Sequence, residues 1–179
     1  KKVLVIDHYK KPAEKIRISG GGFCNFTNAY TSEKNFLSQN PHFFKSALKR
    51  YTPENFINLM QEYNIPFYEK KAGQLFCENS SKDIIEMLLN ECSKYNVEIQ
   101  LNTKINKVKK FNNEFSLFSE SLIYKSSSLV IASGGLSVPK IGASNFGYKI
   151  AEQFNLPITE LSPALVPITF DTDLLEHCK

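Results

Sequence analysis

Two short runs constrain this chain more than any other feature. Val3-Leu4-Val5-Ile6 is apolar and mostly β-branched, and it ends on Asp7. Ser128-Leu129-Val130-Ile131-Ala132 is apolar from Leu129 onward and runs directly into Ser133-Gly134-Gly135. A strand with no polar position has no face for water, so it belongs inside a parallel sheet covered by helices on both sides. The turn after such a strand lies at the carboxyl edge of the sheet, where open α/β folds bind ligands. The two runs therefore predict an α/β domain with its chemistry in the loops that follow them.

The segments between the runs supply helices and a separate antiparallel unit. Asn40-Pro41 predicts a helix through Arg50, and Thr52-Pro53-Glu54 opens another, with Pro at a favoured first position. In the second helix Phe56, Leu59, Met60 and Tyr63 share one face. Phe67-Tyr68 and Leu75-Phe76-Cys77 read as short strands around a turn at Gly73. Ser80 and Asp83 have capping-box spacing, and Ile85, Leu88, Leu89 and Cys92 are the expected buried stripe of the helix they open. Val97 to Leu101 predicts a strand. Residues 104–124 predict a β-meander of three strands, with Asn112-Asn113 as a tight turn. Ser144 or Asn145 caps a helix whose inner face is Ile150, Ala151 and Phe154, and Leu165 to Phe170 reads as a last strand. Strands alternating with helices argue for a parallel sheet.

Several functional classes find little support. The 22 basic and 18 acidic residues of the 179 give a net charge of +4 and are mostly interleaved. Lys10–Lys11 and Lys107–Lys109–Lys110 are the densest basic spots and read as solvated surface, so nucleic acid is not an expected partner. The four cysteines, Cys24, Cys77, Cys92 and Cys178, form no CxxC pair. His8, His42 and His177 lack metal-ligand spacing, so no metal site is expected. No apolar run is long enough to span a bilayer and no signal segment opens the chain, which makes the cytoplasm the expected location.

Three places can carry cofactor chemistry. Asp7 admits two readings: the ribose-binding acid at the end of the second strand of a Rossmann unit, or a turn residue that caps local backbone. Ser19-Gly20-Gly21-Gly22 cannot be a regular helix; it reads as a ligand-contacting loop or as flexible surface, and without a following Gly-Lys-Ser/Thr it is no Walker loop. The Ser133-Gly134-Gly135 turn permits close approach of a flat cofactor, and Gly142 and Gly147 keep the following loop open up to a helix N-terminus.

Together these segments resemble the BaiN-like (YhiN-like) flavoproteins, a family of FAD-binding NAD(P)H oxidoreductases with two dinucleotide-binding domains. The resemblance rests on KPAEKIRISGGGFCNFTN, LSQNPHFFKSALKRYT, GQLFCENS, LVIASGGLSVPKIGASNFGYKIAEQF and PALVPITF, which follow one another in the family's order along nearly the whole chain. It implies FAD as cofactor and NAD(P)H as electron donor. By the same resemblance Asp7 holds the adenosine ribose, and Lys15, Ser19, Gly20, Gly21, Gly22 and Asn25 line the flavin side. The strand around Ile105 offers backbone to the adenine, and Ser133, Gly134 and Gly135 match a Thr-Gly-Gly turn near the cofactor. Phe23 stands where the family has Arg, and Ser133 where it has Thr.

The expected architecture is thus an incomplete Rossmann-like FAD-binding domain over residues 1–163, with residues 164–179 starting an inserted β-rich domain. The first glycine loop, GxGxxG, is expected ahead of residue 1. The expected activity of the intact protein is hydride transfer between NAD(P)H and a small organic acceptor or oxygen through bound flavin. A rival expectation is a non-catalytic or split product that needs other segments to bind FAD, and oligomers are compatible with it. A third is a flavoprotein acting on RNA.

Overall fold

In a computed structural model, which describes residues 1–138 and 142–163, the expected parallel pairing is formed by the first strand and one nearly a hundred positions later. β1 (Leu4–Ile6) runs parallel to β5 (Glu98–Gln100), with Leu4 opposite Glu98, Val5 opposite Ile99 and Ile6 opposite Gln100. The long crossover between them holds four helices, α1 (Glu14–Ile18), α2 (Lys45–Arg50), α3 (Pro53–Glu62) and α4 (Ser81–Lys94). It also holds an antiparallel sheet in which β4 (Gln74–Cys77) lies between β2 (Asn25–Asn28) and β3 (Phe67–Glu69). After β5 come the meander β6 (Lys107–Phe111), β7 (Glu114–Phe118) and β8 (Ile123–Ser126), and then α5 (Phe146–Gln153). The architecture is α/β and Rossmann-like, with antiparallel additions.

Local chemistry explains most of the boundaries. At the start of α3, the Thr52 hydroxyl accepts from the Asn55 amide, and the Asn55 side chain accepts from the Thr52 N–H at 2.7 Å. This reciprocal cap satisfies two backbone donors that a helix start leaves open. Ser80 caps α4 by accepting from the Lys82 N–H at 3.2 Å. The next residue, Ser81, is buried and donates its hydroxyl to the Arg17 carbonyl at 3.0 Å. That bond pins the end of α1 to the start of α4. In the meander, Phe111 pairs with Glu114 around a two-residue turn whose Asn112 takes a left-handed φ of 51°.

Two apolar clusters hold the elements. The first buries Cys24, Met60, Cys77, Ile84 and Met87, with Phe26, Phe56 and Phe67 packed around them. Phe26 meets Phe67 edge-on at 5.5 Å, a favoured aromatic geometry. The second buries Val108, Leu117 and Ile150 against Ile6, Ile105, Leu129 and Phe154. It joins β1, the meander and α5.

The structure corrects several expectations. β1 is not buried on both faces: Val3, Leu4 and Val5 are all exposed, and only Ile6 is drawn into a cluster. Residues 128–132 form no ladder among the described residues, and Val130 is 84% exposed. Among the described residues β1 pairs with β5 alone and residues 128–132 pair with no strand, so neither run is enclosed within a sheet. The buried face of α4 is rotated from the expected stripe. Ser81, Ile84, Ile85 and Met87 are buried and Leu89 is exposed, because the Ser81–Arg17 bond turns that side toward α1. Turns occupy residues 41–44, so α2 starts at Lys45 rather than near Pro41. The expected strand Leu165 to Phe170 and the rest of residues 164–179, with His177 and Cys178, lie outside the described residues.

Met60 is fully buried in the first cluster. Met60→Ala should lower the unfolding free energy by about 2–5 kcal/mol, the usual cost of emptying a buried site of this size. Urea unfolding of the two proteins measures it, and a change below about 1 kcal/mol would contradict the packing described.

Candidate functional site

The first group of site residues lies at the carboxyl end of β1. The Asp7 main chain is held on both sides: its N–H donates to the Gln100 carbonyl at 2.9 Å, and its carbonyl accepts from the Thr103 N–H at 3.0 Å. One carboxylate oxygen, Oδ1, accepts from the Tyr9 N–H at 2.9 Å and lies 3.6 Å from His8 Nδ1. Asp7 therefore does cap the local turn. Its other oxygen, Oδ2, has no bonded partner among the described residues, so the carboxylate keeps acceptor capacity for a ligand hydroxyl. The turn reading and the ribose reading are compatible in one side chain.

The second group surrounds the three glycines. Ser19 to Gly22 form two tight turns joined at a kink, where Gly20 and Gly21 are left-handed at φ 57° and φ 68°. Ser19 donates its hydroxyl to the Ile16 carbonyl at 2.8 Å, closing the end of α1. The three glycines differ in what surrounds them. A Cβ on Gly20 would lie 2.7 Å from the Phe76 ring, whereas one on Gly21 or Gly22 would meet nothing within 4 Å. Gly20 is thus required by packing, while Gly21 and Gly22 present bare backbone to open space. Lys15, Ser19 and Asn25 share a cleft of about 280 Å³ with Cys24, Phe26 and Phe56. With its amide turned to donate, Asn25 reaches the carbonyls of Thr27 and Leu75 at 3.0 and 3.1 Å.

The third group is the turn after residue 132. Gly134 has φ 69°, and a Cβ there would also meet nothing within 4 Å. A Cβ on Gly147, at the start of α5, would lie 3.0 Å from the Ser133 hydroxyl, so this helix packs directly beneath the turn. Two contacts join the groups. Lys15 Nζ donates to the Ser137 hydroxyl at 2.6 Å. The His8 ring fills the space beside Gly142, where a Cβ would come within 2.5 Å of Nε2. Asp7, Lys15 and the Ser133–Gly135 turn are thereby gathered to one side of the fold.

Ile105 departs from expectation. It precedes β6 rather than lying in a strand, and its side chain packs into the second cluster. Its backbone has no hydrogen-bond partner among the described residues. The meander begins two residues later than this reading needed because β7 pairs back only as far as Lys107, with one further bond from the Asn106 N–H to the Phe118 carbonyl. Ser137 and His8 were not expected at the site. Ser137 carries no local signal, and His8 offered none beyond its lack of metal-ligand spacing.

Among the described residues no three His, Cys, Asp or Glu side chains are placed to hold a metal ion, and no helix is long and apolar enough to cross a membrane.

The model of the HI0933-like protein Rossmann domain matches residues 1–169. This chain belongs to the HI0933-like family. The family is associated with FAD binding. Among curated relatives, the ribosomal RNA dihydrouridine synthase of Escherichia coli K12 is 49% identical over 177 residues, covering 99% of this chain and 44% of the relative. That of Haemophilus influenzae Rd is 47% identical over 178 residues, covering 97% of this chain and again 44% of the relative. The HI0933-like chain therefore spans less than half the length of the relatives it matches.

Cys24 and Cys77 are both buried free thiols in the first cluster. Burial pushes the Cys77 thiol up to about 12 from 9.0, and the neighbouring Cys24 and Asp83 push the same way. The folded protein thus resists an ionisation that the unfolded chain undergoes near pH 9. Its contribution to stability is complete below pH 9 and is lost as pH rises towards 12. At pH 8 iodoacetamide should label the half-buried Cys92 of the native protein while leaving Cys77 unmodified, as read by peptide mass. Labelling of Cys77 as fast as of Cys92 would contradict the buried placement.

Proposed function

We propose that the protein containing this chain is an FAD-dependent enzyme that reduces a uracil base of ribosomal RNA to dihydrouracil, with NAD(P)H as electron donor. The observation that carries this reading is the 47–49% identity, over almost the whole chain, to two proteins named ribosomal RNA dihydrouridine synthase. It sharpens the expectation of an organic acceptor and replaces a small free molecule by a base within RNA.

The residues present fit FAD on physical grounds. Gly21, Gly22 and Gly134 combine left-handed backbone with vacant space on the side a side chain would take. Positions of that kind let main-chain amides approach a flat or anionic group closely. Asp7 would accept hydroxyls of the adenosine ribose through its unbonded oxygen. Lys15, held by Ser137, would bring positive charge to the flavin side. Ser133, Gly134 and Gly135 would let the cofactor lie against the turn, with α5 supporting it from below. Bound FAD supplies the hydride chemistry, and the protein supplies binding, orientation and electrostatics. A rigid seat for the cofactor and a separate open approach for the base are what such a reaction requires of the fold.

The test uses the full-length protein purified with its flavin. Incubation with NADPH and ribosomal RNA from a strain lacking the gene should convert a defined uridine to a nucleoside heavier by two hydrogens, read by mass spectrometry of the digested RNA. RNA that stays unmodified, although NADPH rapidly reduces the bound flavin, would overturn the RNA substrate while leaving a flavin oxidoreductase standing.

A further inference from the structure

The basic residues are not as evenly interleaved as their total suggests. From Lys34 to Tyr51 the chain carries Lys34, Lys45, Lys49 and Arg50 and no acidic residue at all. The structure places large apolar groups on the surface of this same stretch. Leu37 is 99% exposed, Phe43 80% and Tyr51 54%. The segment is nevertheless ordered by its own contacts: Phe36 stacks on Phe44 at 4.7 Å, and the Lys45 ammonium lies 3.7 Å from Glu33. Lys49 and Arg50, in the last turn of α2, are exposed and make no ion pair among the described residues. Exposed aromatic rings among uncompensated cations are a poor face for water and a good one for an unpaired nucleic acid strand. Such a strand offers phosphates for the cations and base faces for the rings.

The position of this surface matters as much as its chemistry. Leu48 and Tyr51 line a shallow groove of about 200 Å³ together with Phe26 and Phe56. Phe26 and Phe56 also wall the cleft that holds Lys15, Ser19 and Asn25. The basic, aromatic surface therefore continues through two shared side chains into the candidate cofactor cleft. We infer that the Lys34–Tyr51 surface binds single-stranded RNA flanking the target base and leads that base toward the cleft. This inference rests on the ribosomal RNA reading above and deepens it. Lys49 and Arg50 meet phosphates, and Phe43 stacks on a base.

Fluorescence anisotropy of a fluorescein-labelled oligouridine, titrated with the full-length flavin-loaded protein over a range of KCl concentrations, tests it. For Lys49→Gln with Arg50→Gln, binding should weaken and the slope of log affinity against log salt should flatten by roughly 1.4, at about 0.7 for each phosphate that is no longer neutralised. For Phe43→Ala, binding should weaken about tenfold at every salt concentration with the slope unchanged, as expected when one base is left without its stacking ring. Flavin absorbance and melting temperature should match those of the wild type in both variants. Wild-type binding that both variants retain in full overturns the assignment of this surface. Retained RNA binding with a lowered melting temperature also overturns it, and shows that another part of the protein covers the face. A wild-type protein that ignores the oligouridine and folded ribosomal RNA alike overturns the ribosomal RNA reading itself.

Discussion

The main chain of Asp7 is the point on which the arrangement turns. Its N–H and carbonyl are both bonded, to Gln100 and Thr103, which continues the parallel β1–β5 pair past the end of the strand. A residue held on both sides of its backbone cannot swing, so its carboxylate has a fixed origin. The same two bonds fix residues 100–103, from which the chain enters the meander. Thr103 is buried, and its hydroxyl donates to the Leu101 carbonyl at 2.9 Å. The candidate cofactor site thus begins at the best-tied turn of the parallel pair.

From there the two apolar clusters act as supports for two different parts of the site. The first, through α4 and the Ser81–Arg17 bond, fixes α1 and the glycine turn that follows it. The second, through Ile6, Leu129 and Ile150, sets α5 beneath the Ser133–Gly135 turn. Long-range contacts of Lys15 with Ser137 and of His8 with Gly142 then close the gap between the parts. Both contacts are made by exposed side chains, of Lys15 and His8, that reach to the loop of residues 137 and 142, where order is easily gained or lost. A bound dinucleotide spanning the same loops would stabilise them by mass action.

How much of this was legible in the sequence depends on the range of the forces involved. Features set by neighbours in the chain read correctly: the start of α3 at Thr52-Pro53, the turn at Asn112, the break from regular helix at the glycines after Ser19. Features set by distant partners read less well. The rotated face of α4 depends on Ser81 meeting a carbonyl 64 positions away, and the apolar run 128–132 finds no strand to pair with among the described residues, which its own composition does not foretell. The start of the meander at Lys107 rather than at residue 104 has a related reason, since where a meander strand begins is fixed by its partner's register and not by its own composition. Of the candidate site, the glycines and Asp7 stand out in the sequence because a glycine-dense turn and an acid at a strand end are local patterns. Ser137, which holds Lys15, is an ordinary serine until the fold brings the two together. The basic surface at 34–51 was hidden by an averaged view of charge, and it emerged only when exposure was set beside sequence.

The central claim is that Asp7 and the open glycines form the seat of FAD. Titration of the flavin-stripped full-length protein with FAD, followed by flavin fluorescence, tests it most directly. The account predicts saturable quenching by the wild type and at least about tenfold weaker binding by Asp7→Ala and by Gly21→Val, equivalent to about 1.4 kcal/mol or more in each case. Wild-type affinity in both variants, with the protein still folded, would contradict it.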